Sequence, residues 1–251
     1  LTYNPHALEL AKHFITIRGV DPEYFKKESE KNTWYVWGPD GGNPEYSQAN
    51  KAIKDQIVAT GHAVRCVYLY TGVAGLISEF KKNEDIFSTD DKKIIEQLQE
   101  ACNRIWKNIT QKRMYLTGGI GSTNMGEAFT EDYDLPSDTV YAETCASIGL
   151  VFFASKMLES NIDNEYTDIM ERAFYNTVLA GMQLDGKKFF YVNPLEIVPG
   201  ISGVVPTQRH DLPERPKWYA CACCPPNVAR LITSFGKYAY GESETIASCH
   251  L

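Results

Sequence analysis

No stretch of this sequence approaches the ~20 consecutive apolar residues of a membrane-spanning helix. No basic segment leading into an apolar one opens it, as a secretion signal would. Positive charge is scarce. Lys and Arg number 25 against 32 Asp and Glu, for a net charge of -7. The basic residues come closest to clustering in the pairs Lys26-Lys27, Lys81-Lys82, Lys92-Lys93 and Lys187-Lys188, of the kind that solvated helix faces carry. An acidic chain without a basic stripe excludes nucleic acid and anionic membranes as expected partners. Cysteine is sparse as well. The 7 cysteines are an odd number, and Cys66, Cys102, Cys145 and Cys249 are dispersed. That excludes a disulfide scaffold and points to a reducing, cytoplasmic setting. The chain opens on Leu1 rather than Met, and we expect a piece of a longer protein, cut at both ends.

What is present suits a globular domain. The 251 residues are 43% hydrophobic, enough for one large domain or two small ones. Helical periods dominate. Asn4 and Pro5 read as N-cap and first position of a helix whose apolar residues run through Phe14 and Ile15, with Gly19 closing it. Further helical patterns cover residues 54–80, 90–110 (with Asp90 as cap), 146–159 and 166–182, and a last helix begins at Pro225. Residues 187–198 read as a strand pair or an extended loop. Long irregular loops rich in Gly and Pro separate the helices, a pattern that suggests stacked helical hairpins.

The concentration of cysteine in WYACACCPPNVAR, residues 218–230, needs a reason. Cys224 precedes a proline, which favours an extended backbone there, and Pro225 suits a first helical turn. Cys223 and Cys224 are thus expected at a helix N-terminus, where the helix dipole favours thiolates. YAETCASIGL, residues 141–150, repeats the arrangement. Glu143 and Cys145 would point about 200° apart on a helix but to one side of an extended segment, with a helix starting just after. Glu143, Cys145, Cys223 and Cys224 would make a tetrahedral zinc site. The spacing lacks the paired C-x2-C knuckles of zinc ribbons, and it leaves buried unreactive cysteines or a redox pair open as well.

GHAVRCVYLYTG, MYLTGGIGS, GEAFTEDYDLP, YAETCASIGL and CCPPNVARL together resemble glycoside hydrolase family 127, the β-L-arabinofuranosidase family, over most of the chain. The resemblance implies a mainly α fold, an (α/α)6 barrel of which residues 1–251 would be the C-terminal part, incomplete in this chain. Residues from about 240 to 251 would start a following β-sandwich. It implies Zn2+ held by Glu143, Cys145, Cys223 and Cys224, with Cys223 the nucleophile and Glu127 the general acid/base. His62 and Tyr191 match substrate-contacting positions. Asn50, in YSQANKAI, stands where the family often has a histidine. The implied activity is zinc-dependent, retaining release of L-arabinofuranose from β-linked arabinosides through a cysteine thioglycosyl intermediate. In it a metal-bound thiolate replaces the usual carboxylate nucleophile. Trp34, Trp37, Tyr46 and Trp218 are candidates for stacking on sugar faces or for packing anchors. A non-catalytic, zinc-stabilised helical scaffold, a thiol redox protein and a related glycosidase of different sugar specificity are the competing functions. Cys221 has no assigned part.

Overall fold

The computed structural model of the protein describes residues 4–31, 43–83, 87–242 and 247–251. Trp34 and Trp37 lie outside the described residues. Asn4 caps the first helix, α1 (Pro5–Ile17), by accepting from the Ala7 N–H, and Pro5 takes a first-turn position where no N–H is needed. A short helix follows that the sequence pattern did not disclose, α2 (Tyr24–Ser29). The next helix, α3 (Ala63–Lys82), starts later than expected from the pattern over 54–80. Gly61, with φ of +67°, turns the chain immediately before it, so His62 stands at the N-cap rather than within a helix. α4 (Thr89–Lys112) is capped not by Asp90 but by Ser88. Ser88 and Asp91 form a capping box, each side chain accepting the other's backbone N–H at 3.2 Å.

α5 (Thr144–Ser160) is the hub. Its residues are buried on nearly every side, as in a helix enclosed by neighbours. It packs most extensively on α3, and also meets α6 (Asn164–Ala173) and α7 (Cys224–Thr233). Gly149 permits the approach to α3: a Cβ there would overlap Val67 and lie 2.9 Å from the Tyr68 ring. Trp106 of α4 sits edge-on to Phe153 of α5 at 5.5 Å and to Tyr166 of α6 at 5.0 Å. Its buried indole N–H donates to Glu165 at 3.0 Å. This aromatic knot joins three helices, α4, α5 and α6, at the middle of α5.

The helix expected over 166–182 divides in two. After α6 the chain widens into a π turn, Phe174–Leu179. The strand pair at 187–198 does not form. The segment is the extended alternative, touching its neighbours through isolated bridges between Glu143 and Val192 and between Met182 and Phe189. A single-turn helix, α8 (Gly236–Ala239), leads into an antiparallel pair, β1 (Tyr240–Glu242) and β2 (Ala247–Cys249). Among the described residues the fold is mainly α, eight α-helices with one short strand pair. No helix among them is long and apolar enough to cross a membrane.

Candidate active site

Two helix starts meet in front of α3. The first is that of α5. The Thr144 N–H donates to Tyr191 O at 2.9 Å and its hydroxyl to Phe190 O at 2.8 Å. Asn193 donates to Ala142 O at 2.8 Å, holding Ala142 at φ of 40°. Glu143 is the N-cap, with extended ψ of 134°, and only 3% exposed. Cys145 lies in the first turn of α5 itself. The second start is that of α7, where Cys223 is the N-cap and Cys224 opens the helix before Pro225 and Pro226. The extended backbone expected before Pro225 is not adopted. Cys223 is already helical in φ and ψ, and a proline in the first turn removes an N–H that has no intrahelical acceptor. The expectation of thiols at a helix N-terminus holds.

The four expected ligands converge. The Cys145 and Cys224 sulfurs are 3.4 Å apart, and those of Cys223 and Cys224 3.8 Å. Glu143 Oε1 lies 3.4 Å from Cys223 Sγ and 3.8 Å from Cys224 Sγ. All four ligand atoms fall within 4.8 Å of one another. Tetrahedral zinc with Zn–S bonds of about 2.3 Å separates its sulfurs by about 3.8 Å. The buried Glu143 Oε2 has no hydrogen-bond partner, an orphaned carboxyl oxygen of the kind a cation satisfies. The donor set, three sulfurs and one carboxylate, is one that zinc accepts. All seven cysteines are free thiols. The three thiols are not equivalent: Cys145 and Cys224 are buried, whereas Cys223 is half-buried and faces a cleft of about 730 Å³ that Cys224 does not line.

Glu127 reaches the same cleft from a tight turn. It has φ of 52°, an unusual value for glutamate, beside Gly126 at φ of 70°. Bridges from Ala128 to His62 and Thr123 hold the turn. His62 Nε2 is 3.3 Å from Glu127 Oε2, and the Tyr191 hydroxyl donates to the same oxygen at 3.3 Å. A carboxylate oxygen of Glu143 lies within 4.8 Å of ligand atoms of His62 and Glu127. Tyr191 is itself clamped by stacking on Tyr219, with ring centroids 4.6 Å apart.

The metal-free electrostatics separate these groups. Burial opposes charge on Glu127, but hydrogen bonds from His62 and Glu143 more than offset it and hold its carboxyl below the usual carboxylate value. Burial, followed by the charge of Glu127, pushes Glu143 up to about 9. The two carboxyls therefore share a proton that resides on Glu143. Hydrogen bonds from Cys145 and Cys224 pull Cys223 far below an ordinary thiol. Cys145 is raised chiefly by its interaction with Cys223, and Cys224 chiefly by its interaction with Cys145. One thiolate, at the cleft wall, is what this cluster favours before any metal arrives.

Every residue expected at the site lies at it: Cys223, Glu127, Glu143, Cys145, Cys224, His62 and Tyr191. Of the aromatics, Tyr46 lines the cleft and meets the His62 ring edge-on at 5.4 Å, while Trp218 is 65% exposed and outside the lining. Asn50 is also outside it, bonded to Glu45 at 3.4 Å. Cys221 is exposed at the cleft rim. Arg65, Tyr68, Asn227 and Arg230 complete the wall and were not singled out in the sequence. Helical spacing was the available signal. Asn227 and Arg230 follow Cys223 and Cys224 at three-to-seven-residue offsets, the same helix face, and Arg65 follows His62 by three.

A family model described as the β-L-arabinofuranosidase, GH127 catalytic domain, matches residues 1–237. The chain is 42% identical over 240 residues to a non-reducing end β-L-arabinofuranosidase of Bifidobacterium longum subsp. longum, covering 94% of this chain and 34% of that protein. Its fold is similar to the crystal structure of a GH127 β-L-arabinofuranosidase from Geobacillus stearothermophilus T6. The TM-score is 0.85 at 46% identity, over 99% of this chain and 37% of that one. A further solved glycoside hydrolase matches at TM-score 0.77 and 32% identity, over 99% of this chain and 38% of that one. The chain thus spans about a third of the length of the curated relative it matches. Site geometry and similarity agree, and the chain belongs to the GH127 β-L-arabinofuranosidase catalytic-domain family.

Proposed function

We propose that this chain is the C-terminal part of an (α/α)6 catalytic barrel. Residues from about 240, where β1 and β2 pair, begin a β-sandwich. We assign it to a zinc-dependent retaining glycoside hydrolase that releases L-arabinofuranose from β-linked arabinosides. The observation that carries this reading is the meeting of Glu143, Cys145, Cys223 and Cys224 with Glu127 in one cleft. Glu143, Cys145, Cys223 and Cys224 would hold the ion. When bound, zinc keeps its thiol ligands deprotonated at neutral pH.

Cys223, the half-buried thiol at the cleft, attacks the anomeric carbon. With Glu143 held as a carboxylate by the ion, the proton the two carboxyls share would sit on Glu127, which gives it to the departing glycosidic oxygen. The His62 and Tyr191 contacts hold this carboxyl on the cleft side and leave the same residue to take a proton from water in the second step. Water displaces the sugar from Cys223, and two inversions give net retention. His62, Tyr191 and Tyr46 supply the polar and aromatic wall against which a furanose ring rests. The free thiol set suits a reducing compartment, the cytoplasm. Cys223→Ser should leave zinc bound through the other three ligands yet lower kcat by about 10³-fold or more. Retention of zinc together with full activity would remove Cys223 from the nucleophile's role.

A further inference from the structure

Glu143 belongs to two groups of ligand atoms, and the proposed reaction uses only one of them as a metal site. Its Oε1 faces the sulfurs, 3.4 Å from Cys223 Sγ and 3.8 Å from Cys224 Sγ. The same carboxyl also meets His62 and Glu127: one ligand atom from each of the three falls within 4.8 Å of the others. Glu143 is 3% exposed, and its Oε2 has no hydrogen-bond partner among the described residues. A buried carboxyl oxygen left without a partner is costly. His62 Nε2 and Glu127 Oε2 are 3.3 Å apart. Nitrogen and oxygen donors bound to one tetrahedral ion at about 2.0–2.1 Å are separated by about 3.4 Å, so this pair already stands at ligand spacing.

The chemistry of the three groups suits a cation. Glu127 Oε2 accepts from the Tyr191 hydroxyl at 3.3 Å, and a carboxylate oxygen keeps a second lone pair for an ion. His62 ligates through Nε2 as the neutral tautomer with its proton on Nδ1. That Nδ1 is buried and unpartnered among the described residues, so no neighbour there opposes this tautomer. Two-metal sites hold their ions about 3.5–4 Å apart, a separation that a carboxylate bridges by giving one oxygen to each. Three thiolates and a carboxylate around one zinc ion leave a net negative charge, to which Glu127 adds, and this field attracts a further cation. His62, Glu127 and Glu143 all line the cleft of about 730 Å³, which leaves room for water at the ion's open positions.

We propose that His62, Glu127 and Glu143 form a second divalent-cation site, bridged by Glu143 to the thiolate site and filled by a further zinc ion when the metal is in excess. The proposal rests on the reading of Glu143, Cys145, Cys223 and Cys224 as the first zinc site. One imidazole and two carboxylates are a donor set that zinc accepts. With three protein ligands and no thiolate, this site binds zinc more weakly than the first. The two ions have opposite effects. The first holds the thiolate site together. The second occupies the carboxyl that must exchange a proton with the leaving group and with water. Its uptake releases to solvent the proton that Glu127 and Glu143 share, and the acid/base step stops. Excess zinc is thus an inhibitor that acts on the reaction's own acid/base.

Equilibrium dialysis against increasing zinc, with elemental analysis of the protein, counts the ions. The parent should take up one equivalent tightly and a second about tenfold or more weakly. Turnover should fall by about 10²-fold or more as the second fills, the share that acid/base catalysis contributes. His62→Phe keeps an aromatic ring beside Tyr46 and removes the ligand nitrogen. Glu127→Gln keeps the shape and removes the charge. Both residues serve the reaction, so the readout in the variants is the ion count. Each should keep the first equivalent and weaken the second by about tenfold or more. Cobalt(II) separates the sites by spectrum. The first equivalent should bring an intense sulfur-to-cobalt band, and the second should add only the weak absorption of a nitrogen and oxygen site. A parent that binds one equivalent, with turnover indifferent to excess zinc, would overturn the proposal and leave the first site standing. A second equivalent held as tightly by whichever variant folds as by the parent is surface metal, and would overturn it too. No zinc in the parent would overturn the first site and this one with it.

Discussion

At the scale of single residues, the adjacent cysteines do different work because their surroundings differ. Cys224 is fully buried and points at Cys145, 3.4 Å away, whereas Cys223 has one side on the cleft. Glu127 is distinguished in the same way by contacts rather than by type. Two side chains, those of His62 and Tyr191, reach one oxygen of its carboxyl at 3.3 Å at a backbone conformation that glutamate seldom adopts. Glu127→Gln keeps the shape of this arrangement and removes the transferable proton. The expected result is a loss of about 10²- to 10⁴-fold in kcat on substrates with poor leaving groups. Substrates whose leaving group departs without protonation should lose much less in the first step. Equal loss on both kinds of substrate, measured under single turnover, would contradict the assignment.

At the scale of elements, the site depends on how closely α5 lies against α3. Cys145 and Glu143 ride on the start of α5, and His62 and Tyr68 on α3. Gly149 is a point of close approach between the two helices, where an added Cβ meets Val67 and the Tyr68 ring. Alanine has the better helix propensity, by about 1 kcal/mol, but Val67, which its Cβ would overlap, is wholly buried and has no open space to move into. Overpacking of this kind costs about 1–3 kcal/mol. Gly149→Ala is therefore expected to lower stability in chemical denaturation despite the propensity gain, and to disturb the Tyr68 contacts to Asn227 and Arg230. A stabilised variant would show that the helices separate freely here.

The same elements show what a single sequence discloses. The caps of α1 and the proline start of α7 were legible because capping is local chemistry, carried by Asn4, Pro5 and Pro225. The later start of α3 was not, since only the φ of Gly61 sets it and the apolar pattern runs on through residues 54–62. The π turn after Ala173 was hidden for a related reason: its side chains keep the apolar content of a helix while the backbone widens. At the site, the pairing of Glu143 and Cys145 with Cys223 and Cys224 was legible as two thiol-bearing helix starts, with several uses left open until the family motifs were set beside them. The tyrosine and histidine contacts of Glu127 were not, because they gather residues 62 and 191 through tertiary folding alone.

At the scale of the whole molecule, one buried group gives the stability a recognisable pH dependence. Asp211 is wholly buried in the segment that follows the site's extended loop, and both its carboxylate oxygens are without hydrogen-bond partners. His210 Nε2 is 3.2 Å from Oδ1, but burial lowers that imidazole and keeps it neutral. Burial, with the nearby charge of Asp138 second, pushes the Asp211 carboxyl up to about 7. A folded-state value above the unfolded one means that the folded protein holds this proton more tightly. Its contribution is fully present below the unfolded value of about 3.9 and declines as pH rises through about 7. Asp211→Asn should therefore gain on the parent between about pH 4 and about pH 7 and keep a constant advantage above that. Thermal melts of both proteins across that range would show the gap widen, and parallel profiles would contradict the account.

The whole-molecule claim is that two helix starts and one strained turn assemble a thiolate nucleophile opposite a single acid/base carboxyl. Mechanism-based trapping addresses it most directly. The zinc-loaded protein is treated with an L-arabinofuranose-derived electrophile, such as a cyclophellitol-type epoxide of β-L-arabinofuranose configuration, and the adduct is mapped by peptide mass spectrometry. The account predicts one sugar-derived adduct per chain, on Cys223 and not on Cys224 or Cys221, lost in Cys223→Ser. An adduct on Glu127 or Glu143, or labelling that persists when Cys223 is replaced, would contradict it.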